Sequence, residues 1–263
     1  MSLLDLVLRP GALSVRFQPI FDIRPATPEP HAIECLIRGP LRSTLEAPDL
    51  LFEYARRKRE EANVDRAAVA TIAEAAATVH PESRLHVNVH ASTLGRDTSF
   101  SAFMRRVFEN HGIEMGRIMV EIVEHTDYVE ERAFLRSLAD LRAAGCGIAL
   151  DDVGTGRANF RMMLVCQPSQ LKIDRVLVQG AAQDRYRYAI LSSLHQLARD
   201  FGIEIVVEGI EVEDDLEAVR RIGIEFAQGY LLARPMSSAE LLSTPFGLAR
   251  ALQSIAAAEP LSA

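Results

Sequence analysis

The 263-residue chain is poor in cysteine, in long apolar runs and in positive charge, and each shortage removes a class of protein. Its three cysteines, Cys35, Cys146 and Cys166, are an odd number and include no C-x-x-C pair. That argues against a disulfide framework and a thiolate zinc site, and points to a reducing cytoplasm. No apolar run reaches the roughly 18 to 20 residues that a bilayer span needs. The opening Met1 to Arg9 carries Asp5 and Arg9 and has no basic segment leading into an apolar stretch, so no secretion signal is expected. The formal net charge of −7 is unsuited to holding duplex DNA on a broad basic surface. An acidic chain still binds a phosphodiester where cations reverse the local field.

What is present is ample core material, 48% hydrophobic residues with 25% charged. Short apolar runs alternate with helical patterns along the chain. Strands are predicted at Ser14 to Ile20, Ala32 to Ile37, Leu85 to Val89, Ile118 to Val123, Ile148 to Asp151, Gln170 to Ile173, Glu204 to Val207 and Glu225 to Ala227. Helices are predicted at Pro48 to Arg59, Val64 to Val79, Phe100 to Asn110, Glu130 to Ala144, Ala158 to Val165, Ala181 to Phe201 and Asp214 to Ile222. Gly112, Gly145, Gly202 and Gly223 stand where helix-ending glycines belong. The alternation suggests a parallel (β/α)8 barrel of the TIM type, with a doubly wound open sheet as the alternative. One domain is expected over residues 1–263, its core about 14–240, with Ser237 to Ala257 as a closing helix on the outside. Only the turn-rich Arg24 to Pro30 separates the first two strands, so strand two is expected to run antiparallel.

The strands carry a second pattern. Glu34, Asn88, Glu121, Asp151 with Asp152, Lys172, Glu208 and Gln228 interrupt or terminate seven consecutive apolar runs. Buried and unpaired, each would cost several kcal/mol. Pairing with a basic neighbour explains any single one, but hardly all seven. In a barrel the C-terminal strand ends converge on one mouth, the usual place for an active site. Five carboxylates there repel one another unless protonated or bound to cations. Oxygen donors with an asparagine amide suit magnesium or manganese, and the absence of histidine from these positions counts against zinc. Adjacent Asp151 and Asp152 suit the bridging of two cations, and Lys172 adds a fixed positive charge. The residues alone thus indicate a metal-dependent phosphohydrolase.

The same residues resemble, in order and spacing, the EAL family of cyclic di-GMP phosphodiesterases. The resemblance runs from Phe17 to Pro235 and rests on Phe17-Gln18-Pro19-Ile20, Glu34-Cys35-Leu36-Ile37-Arg38, Val87-Asn88, Val120-Glu121-Ile122, Ala149 to Gly156, Leu171-Lys172-Ile173-Asp174, Val207 to Glu211, and Gln228-Gly229-Tyr230. It implies a modified barrel with one antiparallel strand near the N-terminus. It also implies a first cation on Glu34, Asn88, Glu121 and Asp151, and a second on Asp151, Asp152 and Glu208. Lys172 would contact the attacking water, with Glu208 a candidate general base. Gln18, Leu36, Arg38, Asp174, Gln228 and Pro235 would contact the dinucleotide, and Glu124 would anchor the loop after Asp152. That loop, Val153 to Phe160, departs from the family pattern while the ligand positions are intact. A homodimer is implied by the resemblance alone.

Two functions follow: hydrolysis of cyclic di-GMP to the linear dinucleotide 5′-pGpG in bacterial second-messenger signalling, or a catalytically silent or weakly active module on the same fold that binds cyclic di-GMP or another protein. No sensor or cyclase segment stands within these residues, so regulation is expected from a partner protein, the oligomer or a region outside the chain. The basic run Arg56 to Arg59 is followed by Glu60 and Glu61 and reads as a solvated helix face. His86, His90 and His125 read as residues beside the site or at the surface rather than ligands.

Overall fold

The computed structural model describes residues 3–77, 83–123, 130–155 and 160–244. Its strands β1 (Ser14–Asp22), β2 (Glu29–Arg38), β3 (Arg84–His90), β4 (Ile118–Val123), β5 (Gly147–Val153), β6 (Gln170–Ile173), β7 (Glu204–Val207) and β8 (Phe226–Ala227) close into a barrel in sequence order. Around it stand α1 (Leu3–Val7), α2 (Pro48–Lys58), α3 (Glu61–Ala76), α4 (Ala91–Arg96), α5 (Phe100–Asn110), α6 (Glu131–Ala143), α7 (Phe160–Cys166), α8 (Arg175–Val178), α9 (Arg185–Phe201), α10 (Glu213–Ile222) and α11 (Ser238–Ser243). The expected closing helix from Ser237 to Ala257 is not continuous: α11 ends at Ser243, where Thr244 turns extended at φ −75° and ψ 151°, and the span beyond it lies outside the described residues.

Strand alternation sorts the side chains. Leu85, Val87 and Val89 of β3, and Val120 and Ile122 of β4, join one large apolar cluster with Phe100, Met104 and Leu138 of the helices. The alternate residues His86, Asn88 and Glu121 point into the barrel. A small separate cluster of Ile20, Ala32, Val206 and Phe226 fills part of that interior. Two-sided burial therefore explains runs that are apolar except at single inward positions.

The reversed strand is β1, which pairs antiparallel with both β2 and β8, while β2 to β8 pair parallel throughout. This corrects the expectation for strand two. A short turn makes two neighbours antiparallel without saying which one opposes the rest. The crossover through α2 and α3 sets β2 parallel to β3, so the odd orientation falls to β1.

Another difference lies before α9, which begins at Arg185 rather than Ala181, with α8 standing free ahead of it. Asp215 on α10 accepts hydrogen bonds from the backbone of Gly180 and Ala182, at 2.9 and 3.2 Å, and holds them in a turn. Asp184 then caps α9 by accepting from the backbone N–H groups of Tyr186 and Arg187. At its far end Gly202 takes a left-handed φ of 67°.

Candidate active site

The inward polar residues meet around one ammonium. Lys172 on β6 is 1% exposed, and its Nζ lies 2.7 Å from Glu208 Oε1, 2.9 Å from Glu121 Oε1, 3.3 Å from Glu34 Oε1 and 3.4 Å from Asp151 Oδ1. These carboxylates come from the C-terminal halves of β2, β4 and β5 and from the residue after β7. Glu34 also accepts from Asn88 Nδ2 at 3.1 Å and from Gln228 Nε2 at 2.8 Å. Gly209 makes the turn that follows Glu208: its φ is +70°, and a Cβ there would lie 2.4 Å from the Cβ of Arg175.

One lysine cannot neutralise four carboxylates, and the titrations diverge accordingly. Burial pushes Glu208 up to about 8, against the opposing pull of Lys172. Glu121 is driven well above the carboxylate range by burial, and Asp151 is raised by burial as well. Burial acts on Glu34 too, but Lys172 and the hydrogen bonds from Gln228 and Asn88 outweigh it and lower its pKa. Sites that split the pKa values of neighbouring acids are suited to acid–base work.

The donors are carboxylate and amide oxygens, the set that suits a hard divalent cation. Glu121 Oε2 and Gln228 Oε1 are buried with no hydrogen-bond partner, and Asp151 Oδ1 has only the Lys172 ammonium, at 3.4 Å. Among the described residues no three Asp, Glu, His or Cys side chains already form a metal-ligating group, since the ammonium stands between the carboxylates. Excess negative charge and orphaned oxygens nevertheless fit a cation.

A cavity of about 430 Å³ opens above this ring, lined among others by Gln18, Glu34, Leu36, Asp151, Lys172, Asp174, Glu208, Gln228 and Tyr230. Gln18 Nε2 donates to the Ala233 carbonyl at 3.0 Å, and Asp174 caps α8 by accepting from Val176 N at 2.8 Å. Asp152 has a left-handed φ of 56° and lines a neighbouring cavity of about 1170 Å³ with Asp174 and Arg175. A non-glycine residue in that region is strained, as at many functional turns. Arg38, at the end of β2, donates to the Ile37 carbonyl at 2.9 Å, and Pro235 is half-buried beside the Phe17–Met236 bridge. Neither is among the residues lining the mouth cavity. Glu124 lies outside the described residues.

Two histidines have structural partners that no motif revealed. His86 is fully buried, with Nδ1 2.7 Å from Glu121 Oε1, and burial with the Lys172 charge holds its pKa well below 6.5. His90 pairs through Nδ1 with Asp65 at 2.9 Å, and Asp65 also accepts from the His90 backbone and from Thr93 Oγ1. The sequence signal for His86 was its position two residues before Asn88, on the same face of β3. His125 is outside the described residues.

A closed barrel with one reversed strand and an acidic ring at its mouth defines a variant of the TIM-type barrel, the class whose active sites sit at this end. A family model for the EAL domain matches residues 3–235, and the chain belongs to that family. It is 36% identical over 141 residues to the bifunctional diguanylate cyclase/cyclic di-GMP phosphodiesterase MucR of Pseudomonas aeruginosa, covering 54% of this chain and 21% of that protein. It is 35% identical over 158 residues to the cyclic di-GMP phosphodiesterase RocR of the same organism, covering 60% and 40%. The chain thus matches less than half the length of these relatives. The PaMucR phosphodiesterase, solved as a c-di-GMP complex, superposes with a TM-score of 0.76 at 27% identity, over 88% of this chain and 100% of that one.

Proposed function

We propose that this domain hydrolyses one phosphodiester of cyclic di-GMP to linear 5′-pGpG with two Mg2+ or Mn2+ ions. The carrying observation is the ring of four carboxylates on Lys172, at the mouth of a barrel of this family. Glu34, Asn88, Glu121 and Asp151 would hold one ion, and Asp151, Asp152 and Glu208 the other. When bound, such cations stabilise negative charge at phosphorus and acidify water. Glu208, whose Oε1 lies 2.7 Å from Lys172 Nζ at the barrel mouth, is the group placed to take the proton of the attacking water once bound cations hold it ionised. Water adds its hydroxyl to phosphorus, the phosphorus–O3′ bond breaks, and the departing oxygen takes up a proton. Lys172 supplies fixed positive charge beside the attacked phosphate. Gln18, Leu36, Asp174 and Gln228 would position the dinucleotide, with Arg38 and Pro235 at the rim. Arg38 suits a two-pronged bond to a phosphate.

The test is incubation of the protein with cyclic di-GMP and Mg2+ or Mn2+, followed by separation of products. Conversion to the linear dinucleotide is expected. Tight binding without conversion would replace the enzyme by a receptor.

The raised carboxylates also make metal-free stability depend on pH. A group whose folded pKa lies above its unfolded value stabilises the fold below the unfolded pKa and loses that contribution as pH rises through the folded one. Glu208, raised from 4.5 to about 8, loses its contribution between those values, and His90, raised from 6.5 by Asp65 against the effect of burial, loses its own above 6.5, so both act from pH 6.5 to about 8. Metal-free protein should therefore melt at progressively lower temperature across that window, by at most about 1.4 kcal/mol per proton and pH unit. Added Mg2+ should raise the melting temperature, with a larger increment at pH 8.5 than at 6.5. A flat pH profile in chelator would contradict the assignment.

A homodimer is proposed as well, supported by exposed Phe160 and Leu164 on α7, Val176 on α8, and Tyr186 and Ile190 on α9. Such apolar exposure on successive helices is the kind a partner covers. Light scattering should give twice the chain mass, and Phe160→Glu with Leu164→Glu should halve it. A wild-type monomer over a wide concentration range would end this reading. The three cysteines are buried and free, which supports a cytoplasmic setting. Among the described residues no helix is long and apolar enough to cross a membrane.

A further inference from the structure

We infer that His86 is a positioning residue that fixes the Glu121 carboxylate and leaves its second oxygen, Oε2, to a divalent cation. The inference rests on the cation reading above but concerns a residue outside the proposed ligand set. His86 and Glu121 are both 0% exposed and sit on adjacent parallel strands, where Asn88 is the register partner of Glu121 and His86 precedes Asn88 by two. Two groups hold the same oxygen: His86 Nδ1 at 2.7 Å and Lys172 Nζ at 2.9 Å both contact Oε1. Oε2 is buried and has no hydrogen-bond partner. A carboxylate pinned at one oxygen by two groups cannot rotate freely, so the direction of the other is set in advance.

The proton on the imidazole can be placed by the same geometry. A glutamate that ligates a cation is ionised and only accepts, so the hydrogen bond must be an N–H donated by His86 Nδ1. His86 Nε2 is buried without a partner. A buried acceptor left unpaired is tolerated more often than a buried N–H, which again puts the proton on Nδ1. Polar groups behind a ligand that orient it in this way commonly change metal affinity by about 10- to 100-fold when removed.

Two substitutions separate this role from core filling, because they rank in opposite order under the two explanations. His86→Leu keeps most of the volume and removes the donor. His86→Asn places an amide N–H near the Nδ1 position and loses volume. Mn2+ binding is measured by titration calorimetry on wild type and both variants, with circular dichroism to verify folding. The expected result is a Mn2+ dissociation constant about 10-fold or more weaker for His86→Leu and within about threefold of wild type for His86→Asn. At saturating Mn2+ the KM for cyclic di-GMP should be unchanged in both. Leu matching wild type, or Asn losing 10-fold or more, would overturn the inference while leaving the metal site standing. Should Leu fail to fold, the Asn result alone decides. Wild type that takes up no Mn2+ would remove the cation reading and this inference together.

Discussion

Lys172→Ala should destabilise the metal-free protein strongly at pH 8 and much less at pH 5. Removing one partner of a buried ion pair typically costs about 3–5 kcal/mol, because the remaining charge has no counterpart. Here the ammonium is 1% exposed and faces four carboxylates at 2.7 to 3.4 Å. For a chain of this size a loss of that order lowers the melting temperature by on the order of 10 °C. At pH 5 Glu208, raised to about 8, carries a proton, so less charge is left uncompensated. Turnover per folded molecule should fall about 10²- to 10³-fold, as for other preorganised groups aimed at developing charge. Lys172→Met, which restores volume, should share both defects. Melting curves at the two pH values with turnover under excess Mn2+ test this. Equal melting temperatures for wild type and variant at pH 8 would refute the electrostatic role.

The other large effect concerns the carboxylates. Glu34→Ala and Asp151→Asn should each reduce turnover by on the order of 10³-fold, since about 4 kcal/mol of charge stabilisation corresponds to three decades. Glu34 also accepts from Asn88 and Gln228, so its removal leaves two amide donors without this acceptor, while Lys172 keeps its other three carboxylates. Asp151→Asn preserves shape and changes charge alone, which makes it the cleaner variant. Product formation from cyclic di-GMP, measured beside Mn2+ uptake, separates lost ligation from lost geometry. Undiminished hydrolysis by both variants would reject the metal assignment.

Much of the architecture could be read from short-range pattern. The boundaries of β4, β6 and β7 and of α5 coincide with those expected from apolar periodicity. The helical layer takes one strand face and the barrel interior the other, so a polar residue within an apolar run marks an inward position. Glu34, Asn88, Glu121 and Lys172 stood out for that reason. The orientation of β1 did not, because a hairpin turn carries no information about the crossover that follows. The late start of α9 was likewise hidden, since the carboxylate that holds its preceding turn belongs to Asp215 on the next helix. Asp152 looked equivalent to Asp151, but adjacent strand residues diverge, and its left-handed backbone turns it toward the neighbouring cavity.

By itself the sequence determined an alternating α/β fold, the inward polar positions of its strands and the chemical type of the donors, because these follow from periodicity and residue identity, whereas closure into a barrel rather than an open sheet was decided by the tertiary structure. Only the tertiary structure decided that Lys172 would be the common contact of Glu34, Glu121, Asp151 and Glu208. The same holds for the pinning of Glu121 Oε1 by His86 and Lys172, which leaves Oε2 unpartnered. Those meetings join residues from separate strands, from Glu34 on β2 to Glu208 after β7. Their distances are set by register and barrel closure, which no local stretch of chain contains.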